Sequence, residues 1–416
     1  MRVLIFEPDH GGHRYTYVRH LLTGLKPLEG IESIKVAISR KGQVSDEYAE
    51  QIKPFEDSVE ILPELEVHGS SPLDNAKQLL SALRGTLAKH PTDHLYVPSA
   101  DGLSQVIGAR AMVPGGRVIP KDTVSEAVQH RGSFAYQPKD ITDKVKFALS
   151  YKTIEKAPWT KLHFVDPIAY EGAKVLSKKL RDTCDMLADP VDEVQSINKK
   201  QARKNLDIPQ DGRYVGVAGA INERKGCDIL LAAFDMAKLK DNDRVLLAGK
   251  ASDGIRELIK NRYQHHIEAG RLIFFDRYLT NDELAWSLSA MDVVCPAGHG
   301  HIGLSNVALR AAAANRLILG STAGWTGRVV PAFGLGVVCD LSKPREFAEG
   351  LEQSLDAAEW YKRTPAGSKL LEFHSQANHI AGWTKLIRER LGLPAPEIKT
   401  WDSLVKSVKQ EAAARS

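Results

Sequence analysis

Two stretches of the chain hold residue types that bind anions. GAINERKGCDILLAAF (219–234) sets Asn222, Arg224 and Lys225 between an apolar run and a helical pattern. EPDHGGHRYTYVRHLL (7–22) follows the apolar run VLIF (3–6) and sets Gly11, Gly12 and His13 before its own helical pattern. A strand, a tight turn and a helix start make an anion site, because the first helical N–H groups are unpaired and the helix dipole adds partial positive charge. Glycine lets the backbone approach a phosphate where a side chain would collide. Arginine offers a planar fork and lysine a mobile point charge, so adjacent cations at a helix start suit a diphosphate. Each stretch also has a plainer reading. A glycine pair is a turn, His13 and Arg14 open a surface helix, and the Arg-Lys pair is a solvated basic loop. GGHRYT lacks the G-x-G-x-x-G spacing of dinucleotide sites.

Loops of this kind are positioned by parallel strands, and the chain alternates short apolar runs with helical patterns. VLIF, IKVAIS (34–39) and HLYVPS (94–99) form one series; YVGVAGA (214–220), RVLLAGK (244–250), RLIFFD (271–276), DVVCPA (292–297), RLILGS (316–321) and GVVCDL (336–341) form a second. Continuous apolar runs are the mark of parallel strands buried on both faces. At 416 residues the chain exceeds one hydrophobic core. The pattern predicts a domain at 1–190, a second at 191–369, and helices over 370–416 that cross back to the first. A polar linker is expected at about 188–205.

Composition narrows the class. Hydrophobic residues are 43% and charged residues 26%, which suits a packed globular protein. A net charge of +4 with interspersed acids argues against a nucleic-acid partner and is compatible with an anionic small substrate. Cys184, Cys227, Cys295 and Cys339 are scattered without CxxC pairing, as expected of buried small hydrophobes in a reducing compartment. No charged leader precedes an apolar stretch and no window reaches a membrane span, so a cytoplasmic protein is expected, with peripheral contact to the inner membrane face.

GAINERKGCDILLAAF, RLIFFDRYLTNDELAWSLSAMDVVCPA and LRAAAANRLILGSTAGW, in that order and spacing, resemble the second domain of group 1 glycosyltransferases, the retaining enzymes of the family four type. EPDHGGHRYTYVRHLL resembles the glycine loop of their first domain. The resemblance covers about residues 1–25 and 187–330 and implies the α/β GT-B fold: two Rossmann-like, doubly wound parallel-sheet domains facing a central cleft. It implies transfer of a sugar from a nucleotide-diphosphate sugar to a saccharide or lipid-linked acceptor with retention, in glycan or polysaccharide biosynthesis. The donor is then a substrate, with no cofactor or metal. Lys225, with Arg224 beside it, falls where the family holds the donor diphosphate, and the amides of Gly11 and Gly12 would meet it from the first domain as the domains close. The loop after RLIFFD would flank the base through Tyr278.

The chain departs from the family at its pair of glutamates spaced eight apart. Ungapped alignment puts Ile302 at the first and Arg310 at the second. His299 and His301 precede them, and the amides of Gly303, Leu304 and Ser305 would cup phosphate and sugar. Arg310 would contact the diphosphate or close an ion pair. EAVQHRGSFAY (126–136), after the strand-like RVIP (117–120), offers His130 and Arg131 on the acceptor side. A metal reading of His299 and His301, or of His265 and His266, lacks a third ligand at any recognisable spacing. DND (241–243) imitates a metal-binding DxD but sits in the turn before RVLLAGK. Two alternatives stand beside the transferase: an inactive GT-B protein that binds nucleotide or a partner transferase, and a sugar-nucleotide epimerase.

Overall fold

The computed structural model describes every residue except 12–13, 67–70, 192–196, 299 and 415–416. The chain forms two compact units, one of Met1–Asp189 with Gln376–Trp401, the other of Pro190–Ser375 with Asp402–Ser416.

Unit 1 is built on a seven-stranded sheet. Its strands are β1 (Arg2–Glu7), β2 (Ser33–Ser39), β3 (Glu60–Leu65), β4 (His94–Val97), β5 (Val124–Gln129), β6 (Lys161–Phe164) and β7 (Cys184–Met186). They lie in the order β3-β2-β1-β4-β5-β6-β7, and every pairing is parallel. Leu4, Ile5, Phe6, Leu95 and Val97 are buried, as apolar runs between two helical layers must be. The helix Arg14–Leu25 turns Val18, Leu21 and Leu22 into this core, and Trp383 and Ile387 of the helix Gln376–Arg390 complete it. A Cβ on Gly24 would stand 2.6 Å from the Ile380 side chain, so glycine sets the close approach of these two helices.

RVIP is not a strand. The segment before β5 is irregular around Gly115, Gly116 and Pro120, and the Arg117 Nε donates to the Ile119 carbonyl at 2.7 Å. The strand instead starts at Val124, with EAVQ forming its end, which places His130 immediately beyond it.

Unit 2 has six strands: β8 (Tyr214–Ala218), β9 (Arg244–Ala248), β10 (Leu272–Phe275), β11 (Val293–Val294), β12 (Leu317–Ser321) and β13 (Gly336–Cys339). Their order is β10-β9-β8-β11-β12-β13, again parallel throughout. Val217, Leu230, Phe234, Leu247, Leu319 and Phe347 fill the core. The stretch read as linker contains a helix, Lys199–Asn205. Its Arg203 is buried and pairs with Asp292 at 2.9 Å, so a residue that reads as solvated linker charge belongs to the packed unit.

In each sheet the strand order reverses once, between β1 and β4 in unit 1 and between β8 and β11 in unit 2. Open parallel sheets bind ligands at the C-terminal ends of the strands beside such a reversal.

Candidate anion-binding site

In unit 2 the reversal is flanked by the loops after β8 and β11. The β8 loop is shaped by Asn222, whose side chain accepts the Lys225 N–H at 3.1 Å and closes a turn over Glu223–Lys225. Gly226 follows with φ of +75°, and the helix Cys227–Met236 begins. A Cβ on Gly226 would stand 1.9 Å from the Ala297 carbonyl oxygen, and one on Gly298 would stand 2.8 Å from that of Arg224. The two loops therefore lie backbone against backbone, and glycine is required at Gly226 for both reasons.

This contact brings the Arg224–Gly226 backbone against Ala297 and Gly298. Neither Arg224 nor Lys225 forms an ion pair with any described residue. Arg224 is exposed and Lys225 half-buried. Burial pushes the Lys225 ammonium below its usual range, and the Arg224 charge pushes the same way. Two neighbouring cations, one partly desolvated and both without a carboxylate, lower their own energy by taking up a polyvalent anion.

Along the second loop, His301 Nε2 lies 3.0 Å from the Leu304 carbonyl, and Gly303 has φ of +101°. Ser305 is buried at the start of the helix Asn306–Ala313, and its hydroxyl does not cap that helix. Arg310 is held to its own helix by a 3.0 Å bond to Asn306. His299 lies outside the described residues. Tyr278 is 84% exposed beyond β10, at the same end of the sheet but two strands from β8. Its neighbour Arg277 is taken by Glu283, at 2.7 and 2.8 Å. Asp243 of the DND turn is buried against Arg213 at 2.6 Å.

In unit 1 the reversal falls at the end of β1. Gly11 exposes its backbone, its N–H 3.4 Å from Asp9 Oδ1; Gly12 and His13 lie outside the described residues. His130 and Arg131 each donate a backbone N–H to Asp101 Oδ1 at 3.1 Å, and His130 Nε2 donates to the Pro98 carbonyl at 3.0 Å. The β5 loop is thereby tied to the β4 loop, with the His130 ring 5.2 Å from that of Tyr17 and Arg131 facing solvent.

Glu7 is the residue that sequence reasoning passes over. It ends β1, is fully buried, and its Oε2 has no hydrogen-bond partner among the described residues. Burial pushes its carboxyl up to about 8, only partly offset by the Arg14 charge 4.0 Å away. Such a carboxyl is neutral at pH 7 and holds a proton to donate. The available signal is an acid that closes an apolar strand directly before a glycine loop. The fold also gives the histidine pair a third neighbour: donor atoms of Asp235, His265 and His266 lie within 4.8 Å of one another, with His266 Nε2 2.6 Å from Asp235. No spacing in the sequence links Asp235 to that pair.

Residues 212–357 match the model of the family described as glycosyl transferases group 1. No curated protein sequence matches the chain. Anabaena HepE, solved in complex with UDP, is 13% identical with a TM-score of 0.65, over 94% of this chain and 100% of that one. Sucrose-phosphate synthase from Thermosynechococcus elongatus is 16% identical with a TM-score of 0.70, over 94% and 99%. WaaG, a glycosyltransferase involved in lipopolysaccharide biosynthesis, is 12% identical with a TM-score of 0.60, over the same shares. At such identities the likeness speaks for the fold, which is GT-B, while the family match supports a glycosyltransferase through unit 2, the unit that carries Arg224 and Lys225.

Proposed function

We propose that the protein is a retaining glycosyltransferase that takes its sugar from a nucleotide-diphosphate sugar. One observation carries the reading: two cations without carboxylate partners among the described residues, Arg224 and Lys225, stand at the sheet reversal of the unit that matches the group 1 model. Charge builds on the departing diphosphate as the anomeric carbon becomes oxocarbenium-like. Cations fixed at that leaving group lower the barrier by preorganised electrostatics. Retention follows from acceptor attack on the face the leaving group vacates, with a diphosphate oxygen taking the acceptor proton, so no metal or protein base is required. Gly303, Leu304 and Ser305 cup the sugar side, Tyr278 flanks the base, and Arg310 adds charge near the donor. Gly11, Gly12 and His13 are the anion contacts of unit 1, while His130 and Arg131 serve the acceptor. That acceptor is a saccharide or a lipid-linked glycan, met at the cytoplasmic face of a membrane. The complexes of HepE with UDP, with UDP and glucose, and with UDP-glucose support a nucleotide-sugar donor for this fold.

A second reading, a GT-B protein that binds nucleotide without transfer, is favoured by Arg310, which stands where the resemblance expects a carboxylate. Titration with UDP, GDP and ADP followed by a panel of radiolabelled nucleotide sugars separates the two. Lys225→Ala is expected to weaken nucleotide affinity and to lower the transfer rate by about a hundredfold, or about 3 kcal/mol. Unchanged affinity removes Lys225 from the site.

A further inference from the structure

We infer that one face of unit 1, formed by the helix Ile141–Lys156 and the end of the helix Pro167–Leu176, docks on an anionic lipid bilayer. The first helix has its pattern reversed: Ile141, Val145 and Leu149 are 73%, 55% and 59% exposed, while only Ser150 and Ile154 are buried. At 100° per residue these three side chains step by 40° and form one outward stripe, with Lys144 and Lys146 to either side and Lys152 and Lys156 continuing it. Val175 and Leu176, 79% and 51% exposed, extend the apolar face. They are fixed beside it, because the Tyr151 hydroxyl donates to the Leu176 carbonyl at 2.8 Å and the Ser177 hydroxyl to Glu155 at 2.6 Å. Of the eleven exposed large hydrophobic residues among the described residues, five lie on this face, and Met112 and Val113 follow the helix Leu103–Ala111, which packs on Ile141–Lys156 through Gln105 and Ser150. A concentration of that kind marks an interaction surface rather than scattered surface apolarity.

Charge identifies the occupant. Exposed lysines rim the stripe, whereas its acids are engaged locally: Asp140 caps the helix, Asp143 accepts the Lys139 N–H at 3.2 Å and Glu155 takes Ser177. A second copy would bring lysine rims together, with like charges opposed. A bilayer of anionic lipids instead offers hydrocarbon to the stripe and phosphate to the rim, the pattern of helices that lie in a membrane interface. Among the described residues no helix is long and apolar enough to cross a membrane, so contact here is peripheral. The inference deepens the lipid-linked form of the acceptor reading, but its vesicle-binding measurement needs no nucleotide.

The full chain is expected to co-sediment with vesicles of phosphatidylglycerol and phosphatidylcholine, to bind pure phosphatidylcholine weakly, and to be released by high salt. The variant Val145→Asp/Leu149→Asp is expected to bind the anionic vesicles about tenfold or more weakly. Val44→Asp, at a site 84% exposed elsewhere, serves as the control and should bind unchanged. Equal binding by the double variant and the control overturns the proposal. So does a dimer in sedimentation velocity that the double variant abolishes, which would make the stripe a contact between copies. UDP titration of the same variant keeps the outcomes apart: loss of vesicle binding with nucleotide affinity retained concerns the surface alone, and absence of nucleotide binding in the parent chain concerns the transferase reading alone.

Discussion

Glu7 and Lys225 are opposite cases of one effect. Each is desolvated, and each has its charged form disfavoured, the acid by a raised and the base by a lowered proton affinity. In the proposed site Lys225 would be relieved by an anionic ligand, which is why its truncation should act on binding. Glu7 is relieved by keeping its proton. Because its folded value of about 8 exceeds the ordinary 4.5, its contribution to stability is fully present below about pH 4.5 and is lost as pH rises through about 8. Chemical unfolding of the full chain between pH 5 and 8 should therefore show a downward trend of up to about 1.4 kcal/mol per pH unit from this group, which Glu7→Gln flattens. Parallel pH profiles for parent and variant would show that Glu7 is solvated.

At the scale of elements, parallel sheets depend on polar anchors where strands meet loops. In unit 2, Asp292 precedes β11 and accepts from Arg203 at 2.9 Å and from the Tyr214 N–H at 2.8 Å, with Lys199 also in contact. It joins the helix Lys199–Asn205 to the two strands whose loops form the proposed anion site. Asp292→Ala leaves the Arg203 charge buried and unpaired, a loss of about 3–5 kcal/mol, and unfolding of the variant by denaturant should show it. In unit 1 the same role falls to Glu126 within β5, which takes His94 at 2.8 Å and His163 at 2.9 Å from the neighbouring strands. Burial alone would raise this carboxyl, but the two imidazole hydrogen bonds outweigh it and hold it down to about 2.

At the scale of the whole molecule, unit 1 is discontinuous in sequence. The helix Gln376–Arg390 supplies Trp383, fully buried with its ring 5.8 Å from Tyr17 and 6.0 Å from Tyr96. Beside it His379 is buried and pushed down to about 3, so it is neutral, with Nδ1 donating to the Ala188 carbonyl at 2.6 Å. Trp383→Ala should cost unit 1 about 3–5 kcal/mol through the cavity it leaves. Hydrogen exchange resolved by segment should show protection lost in β1 and the helix Arg14–Leu25 while unit 2 keeps its own. Equal loss in both units would mean that they unfold together.

The amino-acid sequence by itself determined the alternation of buried strands and helices, because a strand covered on both faces must be apolar along its length, and it determined where glycine and cation-bearing loops follow those strands. It also carried the Arg224 and Lys225 pair, since adjacent cations before a helix start are a local feature. Tertiary structure decided the rest. RVIP is as apolar as a strand but pairs with none, and Arg203 in a polar linker is buried because Asp292, far along the chain, waits for it. The nesting of Gly226 on Ala297, the burial of Glu7 and the outward stripe on Ile141–Lys156 likewise depend on partners distant in sequence. Periodicity reports which residues share a face of an element, whereas the neighbour that face meets is set by long-range packing, and that is what makes a carboxyl neutral, desolvates a lysine or leaves an apolar face turned outward.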